Sequence, residues 1–428
     1  MTMQAREYPG VGDTLWSGRL PNGLSIYVVP RPGFQKKHAM LAVNYGGAMR
    51  SFTLDGAGVD TPAGVAHYLE HKMFDLPEGN ALNILSARGA DANAYTGGDM
   101  TAYYFECDEG FEENLELLIK FVTTPYFTQE SVDKERGIIG QEIRMTEDDP
   151  SFVLYNSTMG ALFDHHPVRE SVAGTVESIA EITPQTLLDC HRAFYVPSNM
   201  VLAVCGDVEP ELVAETAGRL MPSQYVAGAV PDYGEREGLE PVKTRAEARM
   251  DVSEPMFIAA AKLCTELPKS EEASRLINVG SLAVRCMLGR SSAFYNDLYA
   301  EGLLRGDFFR DVSPLAGTLL FECGGASADP ERVFARLVDT LRDAAEHGID
   351  GETLERARRA DYGLTLRSLN DPASVCSVLA SSHFGGYGFY EGFDILAGVT
   401  ADDVSGFVRE YLKPERLVLS TVLPKERT

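Results

Sequence analysis

The sequence His67-Tyr68-Leu69-Glu70-His71 places two imidazoles four residues apart, with one carboxylate between them. Residues three and four apart lie on the same side of an α-helix, so in a helix these three side chains project from roughly one face. The preceding Thr61-Pro62 offers a residue type that caps helices, followed by a proline of the kind that suits the first helical turn. The stretch therefore predicts a helix that presents a metal-binding face with its own carboxylate base.

The residues around this stretch supply the buried side that such a helix needs. Apolar residues recur there at helical spacing, namely Val65, Leu69, Met73 and Phe74. An ordinary helix whose histidines hydrogen-bond to their neighbours would show the same spacing. The order H-x-x-E-H is also one of the signatures of metallopeptidases, and the rest of the sequence has to decide between the two interpretations.

A second helix that carries carboxylates is predicted further along the chain. A hydrolytic zinc site takes three protein ligands and leaves one position open, so a third ligand has to come from outside the first stretch. In the segment 131–145, Glu135 and Glu142 are two helical turns apart and share one face. We predict Glu142 as the third ligand and Glu135 as a residue that holds a ligand or a water from outside the coordination sphere. A solvated acidic face would give the same spacing, so the spacing alone leaves both interpretations open.

Taken together, these motifs resemble those of the pitrilysin/insulinase family of zinc peptidases. The resemblance rests on His67-x-x-Glu70-His71 followed by a glutamate inside Glu-Arg-x-x-Ile-x-x-Glu-Ile. The segment 89–105 looks like the substrate-binding edge strand of that family, and the segment 197–207 is similar to its recurring core strands. The likeness covers most of the first half of the chain strongly and the second half by pattern.

The resemblance implies a function and a set of roles. One Zn²⁺ per chain would be held by His67, His71 and Glu142, and Glu70 would take a proton from water and pass it to the leaving amine. The expected activity is hydrolysis of extended or unfolded peptides. The peptide is expected to dock as an added strand, through its main chain, on Asn93, Ala94, Tyr95 and Thr96.

The sequence also contains an internal repeat. The segment 183–202 matches the segment 400–419 at a constant offset of 217 residues, and each predicts an amphipathic helix, a proline stop and a buried strand. We therefore predict an α+β protein of two homologous domains, each an antiparallel-type sheet with helices on one face. The predicted domains are 1–225, which carries the zinc, and 245–428, which does not, with a linker over 226–244.

Composition indicates which partners and compartments to expect. The 428 residues carry 38 basic and 63 acidic side chains, a net charge of −25, which argues against binding to nucleic acid. The sequence contains no signal-peptide pattern and no long apolar run, so no membrane association is expected. The seven cysteines have no C-x-x-C spacing and are expected to be reduced, which predicts a cytoplasmic protein.

The second half departs from the family at one functional position. The family uses an arginine and a tyrosine seven residues apart to hold the substrate and its oxyanion, and here Tyr299 and Gly306 occupy those places. Arg305 and Arg310 lie nearby but do not fit the register. We therefore expect a homologous partner subunit that supplies the missing pair in a heterodimer, with a homodimer as the open alternative. A catalytically silent peptide-binding or assembly subunit is the second functional hypothesis.

Overall fold

The computed structural model describes residues 2–425, and its elements are numbered along the chain. The strands are β1 (Gln4–Tyr8), β2 (Asp13–Arg19), β3 (Ser25–Pro30), β4 (Lys37–Val43), β5 (Ser51–Leu54), β6 (Ala57–Asp60), β7 (Asp75–Leu76), β8 (Gly79–Asn80), β9 (Asp91–Thr96), β10 (Thr101–Cys107), β11 (Met200–Gly206), β12 (Pro231–Asp232), β13 (Arg245–Met250), β14 (Met256–Cys264), β15 (Leu304–Leu315), β16 (Thr318–Ser327) and β17 (Val418–Pro424).

The helices are distributed along the whole chain. They are α1 (Val65–Met73), α2 (Ala81–Ala87), α3 (Phe111–Thr123), α4 (Gln129–Glu147), α5 (Pro150–Leu162), α6 (Val176–Ala180), α7 (Pro184–Phe194), α8 (Pro210–Leu220), α9 (Glu271–Leu288), α10 (Ala293–Ala300), α11 (Pro330–His347), α12 (Gly351–Ser368), α13 (Pro372–Gly385), α14 (Glu391–Gly398) and α15 (Ala401–Tyr411). None of the helices in residues 2–425 is long and apolar enough to cross a membrane.

The chain forms two compact units that do not follow sequence order. The first unit runs to Ile143 and includes Ser171–Tyr233 and Thr365–Phe389. The second unit consists of Arg144–Glu170, Gly234–Leu364 and the chain from Tyr390 onward. The helix α5 thus belongs to the second unit and α13 to the first. The predicted domains 1–225 and 245–428, with the linker 226–244, are drawn from the sequence repeat and stay a prediction.

The first unit is built on a seven-stranded sheet in the order β1-β2-β3-β11-β4-β10-β9. Its central strand β11 is buried along its full length, because Leu202 and Val204 point into the main hydrophobic core while Val201 and Ala203 are buried outside it. The helix α13 packs against β11 and β4. The sequence predicts helices on one face of each sheet. In this unit α13, which comes from a distant part of the sequence, also packs on the sheet.

The second unit repeats the central part of this arrangement. Its five-stranded sheet has the order β13-β17-β14-β16-β15, in which β13 and β17 are parallel and the other neighbours are antiparallel. The strands β3-β11-β4-β10-β9 of the first unit have the same sequence of parallel and antiparallel pairs. In this unit α5 packs against β13, β14 and β17.

Local structure at the predicted repeat agrees with a duplication. Thr183 and Thr400 each begin a helix with a capping box, in which side chain and backbone exchange hydrogen bonds across the first turn. A proline-led 3-10 turn follows each helix, at Pro197–Asn199 and at Pro414–Arg416, and leads into a buried strand. The predicted α+β class with two related domains is confirmed.

Candidate metal centre

The helix that carries the histidines starts later than the sequence predicts. α1 begins at Val65, and its N-cap is Gly64 in the left-handed region (φ 92°) rather than Thr61. A side chain at residue 64 would place its Cβ 2.5 Å from the carbonyl oxygen of Ala173, so glycine is required there. The Thr61 hydroxyl instead donates to the carbonyl of Arg50 at 2.9 Å. The predicted Thr61 cap is therefore wrong, whereas the helix and its His-Glu-His face are present.

The second ligand-bearing helix, α4, packs as its apolar pattern predicts. Val132, Ile139 and Ile143 are buried on one stripe. The hydroxyl of Tyr68, on α1, donates to the carbonyl of Val132 and joins the two helices directly. This packing leaves the face with Glu135 and Glu142 turned toward the histidines of α1.

Three side chains from these helices converge on one point. The Nε2 atoms of His67 and His71 each lie 3.5 Å from a different carboxylate oxygen of Glu142. One ligand atom from each residue lies within 4.8 Å of the others, and no second group of this kind occurs in residues 2–425. Two ligands of a tetrahedral zinc ion are about 3.4 Å apart when the bonds are about 2.1 Å long. The donor types and their spacing therefore fit Zn²⁺, and each side chain offers the atom that such a site needs.

Glu135 fixes the orientation of one of these rings. His71 Nδ1 lies 3.0 Å from Glu135 Oε1. Because an ionised carboxylate can only accept, the imidazole carries its hydrogen on Nδ1 and keeps the lone pair of Nε2 for a metal. Burial opposes the charged form of Glu135, but the hydrogen bond from His71 and nearby Lys72 outweigh it, so its pKa lies below the ordinary value. On His67, by contrast, Nδ1 is buried without a hydrogen-bond partner among the described residues.

Glu70 lies between the two histidines on α1 and is 7% exposed. Burial raises the pKa of this carboxyl, although His67, His71 and a hydrogen bond from Thr96 partly oppose the shift. That hydrogen bond runs from Thr96 Oγ1 to Glu70 Oε2 at 3.0 Å. No other hydrogen bond to Glu70 is present in the described chain, so one face of the carboxylate stays available to accept a proton.

The predicted substrate strand corresponds to β9. Residues 93–96 lie in β9, which pairs with β10 and ends the seven-stranded sheet. An edge strand has one row of backbone N–H and C=O groups that is not used by the sheet. Three of the four predicted residues, Ala94, Tyr95 and Thr96, are half-buried, and Asn93 is exposed.

The family follows from comparisons with known proteins. The insulinase model of peptidase family M16 matches residues 56–176, and the model of the M16 inactive domain matches residues 181–360. The chain is 34% identical to the uncharacterized zinc protease YmfH of Bacillus subtilis over 425 residues, which cover 98% of this chain and 99% of that protein. This chain belongs to peptidase family M16.

Solved structures agree with this M16 assignment. A crystal structure of a protein from Alicyclobacillus acidocaldarius described as M16-like has a TM-score of 0.91 at 31% identity, and the match covers 99% of each chain. A protease from Helicobacter pylori gives a TM-score of 0.80 at 20% identity over 95% of this chain and 99% of that one, a likeness of fold alone.

In the second unit, Tyr299 and Gly306 occupy the positions where an arginine and a tyrosine are expected from the family resemblance. Tyr299 lies on α10 and its side chain is 62% exposed. Gly306 lies in β15 with a positive φ of 72°, a conformation that a tyrosine adopts only with strain. Arg305 is exposed and donates to the carbonyl of Gly302, and Arg310 is half-buried on the same strand. The backbone conformation at Gly306 therefore disfavours a tyrosine at that position.

Several residues around the centre are not predicted from the sequence. Thr101 Oγ1 lies 3.4 Å from Thr96 Oγ1 and donates to the carbonyl of Tyr45 at 2.8 Å. The hydroxyls of Tyr103 and Tyr195 are 2.8 Å apart and buried in the same core. Lys72, next to His71 on α1, is a further residue near the centre that the sequence does not predict. Only the alternation of β10, which turns Thr101 and Tyr103 to one side of the strand, could have pointed to part of this set.

Proposed function

We propose that this M16 chain is a zinc-dependent endopeptidase subunit that hydrolyses extended or unfolded peptides. The observation that carries the proposal is the convergence of His67, His71 and Glu142, with Glu70 on the same helix face. These three residues would hold one Zn²⁺. The bound ion would supply Lewis acidity, which lowers the pKa of water and polarises a carbonyl group.

The chain's own residues would then divide the remaining work. Glu70 takes the proton of the attacking water and delivers it to the nitrogen of the leaving amine, which needs a carboxylate that is close, buried and not fully occupied by other donors. Glu135 keeps the His71 ring in one tautomer and one orientation. Thr96 holds one oxygen of Glu70.

The substrate is proposed to lie along β9. A peptide that adds to an edge strand uses its main chain, so it must be extended, and folded proteins would be poor substrates. Asn93, Ala94, Tyr95 and Thr96 are the residues proposed to pair with it. The length of β9, six residues, allows a short strand of substrate to pair at one time.

A homologous partner subunit is part of the proposal. Tyr299 and Gly306 supply neither the guanidinium nor the phenol expected at these places, and loss of one oxyanion donor costs roughly 3 kcal/mol of transition-state stabilisation. A partner that contributes both groups in a heterodimer would restore them, and a second copy of this chain would not. The seven cysteines are free and six are buried, which supports the cytoplasm as the proposed location.

The alternative is a catalytically silent peptide-binding or assembly subunit. The residues Tyr299 and Gly306 favour this alternative, and the match of residues 181–360 to the M16 inactive domain leaves it open. The complete set of three ligands and Glu70 favours the peptidase, because a silent subunit has no need to keep all four.

One experiment separates the two. The purified chain is assayed for bound zinc and for cleavage of a library of unstructured peptides, alone and co-expressed with a homologous subunit. The peptidase hypothesis expects about one zinc per chain, and a rate that falls by about 10²–10⁴-fold in Glu70→Gln while the zinc remains. A metal-free native protein, or equal cleavage by Glu70→Gln, would refute it.

A further inference from the structure

Lys72 is a fully buried cation beside the proposed metal centre. It follows His71 directly on α1, and its side chain is only 1% exposed. Lysine is rarely buried to this extent, because removing an ammonium group from water is costly unless charges and hydrogen bonds replace the water. The position therefore calls for an explanation beyond the amphipathic pattern of α1.

Three groups from two other elements surround the ammonium. Lys72 Nζ donates to the carboxylate of Asp75 on β7 and to the carbonyl oxygen of Ser131 on α4 at 3.2 Å. It also lies 4.0 Å from Glu135 Oε2. The other oxygen of Glu135, Oε1, accepts the hydrogen bond from His71. Asp75, Lys72 and Glu135 thus form a series of alternating charges, and this series ends at the His71 ring.

This series of charges explains how Glu135 is held in position to hydrogen-bond to His71. The carboxylates of Glu70, Glu135 and Glu142 all interact with the His71 ring, and Glu135 is the one that accepts from its Nδ1. A fixed cation 4.0 Å from Oε2 attracts the Glu135 carboxylate and leaves Oε1 free to accept from Nδ1 of His71. The backbone carbonyl of Ser131, which accepts from Nζ, in turn limits the positions that the ammonium can take.

We propose that Lys72 is a positioning residue for the metal centre, which acts on zinc affinity through Glu135 and His71. The inference rests on the proposed zinc function but adds a residue that does not touch the metal. Loss of a partner that orients a metal-binding histidine typically weakens metal binding by about 10–100-fold. Replacing Lys72 with a neutral side chain should have an effect of this size.

The test measures zinc affinity of the full chain by competition with a chelator of known affinity. Lys72→Met is expected to raise the Kd for zinc by about 10–100-fold. Lys120→Met is the matched control, because Lys120 pairs with Glu78 on the surface and is 52% exposed. It should leave the Kd within about twofold of wild type.

A double-mutant cycle tests the route of the effect. If Lys72 acts through Glu135, Lys72→Met combined with Glu135→Gln should bind zinc no more weakly than Glu135→Gln alone. Additive losses would overturn the proposed route. Thermal unfolding of the metal-free variants shows whether each one folds, and Lys72→Gln, which can still donate to the Ser131 carbonyl, replaces Lys72→Met if the latter does not.

The outcomes separate this inference from the proposed function. A wild-type chain that binds no zinc refutes the function itself. A wild-type chain that binds zinc, together with a folded Lys72→Met or Lys72→Gln variant whose Kd is within twofold of it, refutes the role of Lys72 alone. The Lys72→Arg variant, which retains the charge, should recover most of the affinity that Lys72→Met loses.

Discussion

Within residues 2–425, each unit contains a buried lysine that contacts a glutamate, and the two contacts have different roles. In the first unit, Lys72 and Glu135 adjoin a histidine that faces the proposed metal centre. In the second unit, Lys262 Nζ lies 3.3 Å from Glu237 Oε2, and both side chains are almost completely buried. Glu237 Oε1 accepts the backbone N–H groups of residues 164, 165 and 166. The second pair therefore fixes a backbone loop and no metal ligand.

The comparison extends to the two sheets. Five strands follow the same order and directions in both units, yet the described part of the chain has a single group of three side chains that could hold a metal ion, and it lies in the first unit. The two units thus share a strand arrangement, and the chemistry of the first unit depends on the side chains that α1 and α4 contribute. We expect changes in the second unit to affect stability, and changes near α1 to affect metal binding and turnover.

Glu237→Gln should have the largest effect on stability. It removes the negative charge that compensates Lys262, and breaking a buried pair in this way typically costs about 3–5 kcal/mol. The zinc affinity should not change. Urea unfolding measures the first and chelator competition the second, with the exposed Glu331→Gln, which loses a surface pair with Arg245, as a control expected to cost at most about 1 kcal/mol.

The acid sensitivity of the Glu237 contact has a definite sign. Burial raises the pKa of Glu237, but its backbone hydrogen bonds and Lys262 lower it by more, so the folded pKa is below the ordinary value. The stabilisation is therefore present above the ordinary pKa and is lost as the pH falls through the folded one. A Glu237→Gln variant with unchanged stability, or with a changed zinc Kd, would contradict the division between the units.

His191 should make the first unit acid-sensitive at a higher pH. Its Nε2 lies 3.2 Å from the Val122 carbonyl, and burial lowers the pKa of the ring to about 4. Between pH 6.5 and 4 the unfolded chain binds a proton that the folded chain does not, so stability falls as the pH falls. From pH 7 to pH 5 this group accounts for about 2 kcal/mol.

The measurement compares unfolding free energies of the metal-free chain at the two pH values. His191→Gln, which can still donate to the Val122 carbonyl, should lose about 2 kcal/mol less than wild type on acidification. His347→Gln in the second unit is the matched control, since that ring is 66% exposed and pairs with Asp343. Equal pH dependence in wild type and His191→Gln would show that the buried ring is protonated in the folded chain as easily as in water.

Much of the centre could be predicted because helical periodicity is local. The spacing of His67, His71, Glu135 and Glu142 follows from 3.6 residues per turn, and the apolar stripes of α1 and α4 indicate which sides are buried. The start of α1 could not be predicted in the same way. It depends on the close approach of Ala173, more than 100 residues away in sequence, to Gly64.

Contacts between distant segments explain the other differences. A lysine in an amphipathic pattern is normally assigned to the surface, and Lys72 is buried only because Ser131 and Glu135 on α4 approach it. The helices α5 and α13 each have buried residues, but a buried face does not specify which sheet it covers, and their unit depends on long-range packing. The hydroxyl groups near Glu70 come from β9, β10 and the end of α7, which no single sequence pattern connects.

Thr96 gives the smallest and most specific prediction, because it lies both on the proposed substrate strand and against Glu70. Its side chain has one hydroxyl hydrogen, which goes to Glu70 Oε2, while the hydroxyl of Thr101 uses its own for the Tyr45 carbonyl. Thr96→Val keeps the backbone of β9 and removes this hydrogen bond, so kcat should fall roughly tenfold, equivalent to about 1.4 kcal/mol, with KM within twofold. Thr96→Ser, which retains the hydroxyl, should keep most of the rate, and zinc content should match wild type in both. If Thr96 acted only through its main chain, the valine variant would turn over as fast as wild type, and the orientation of the base would then depend on α1 alone.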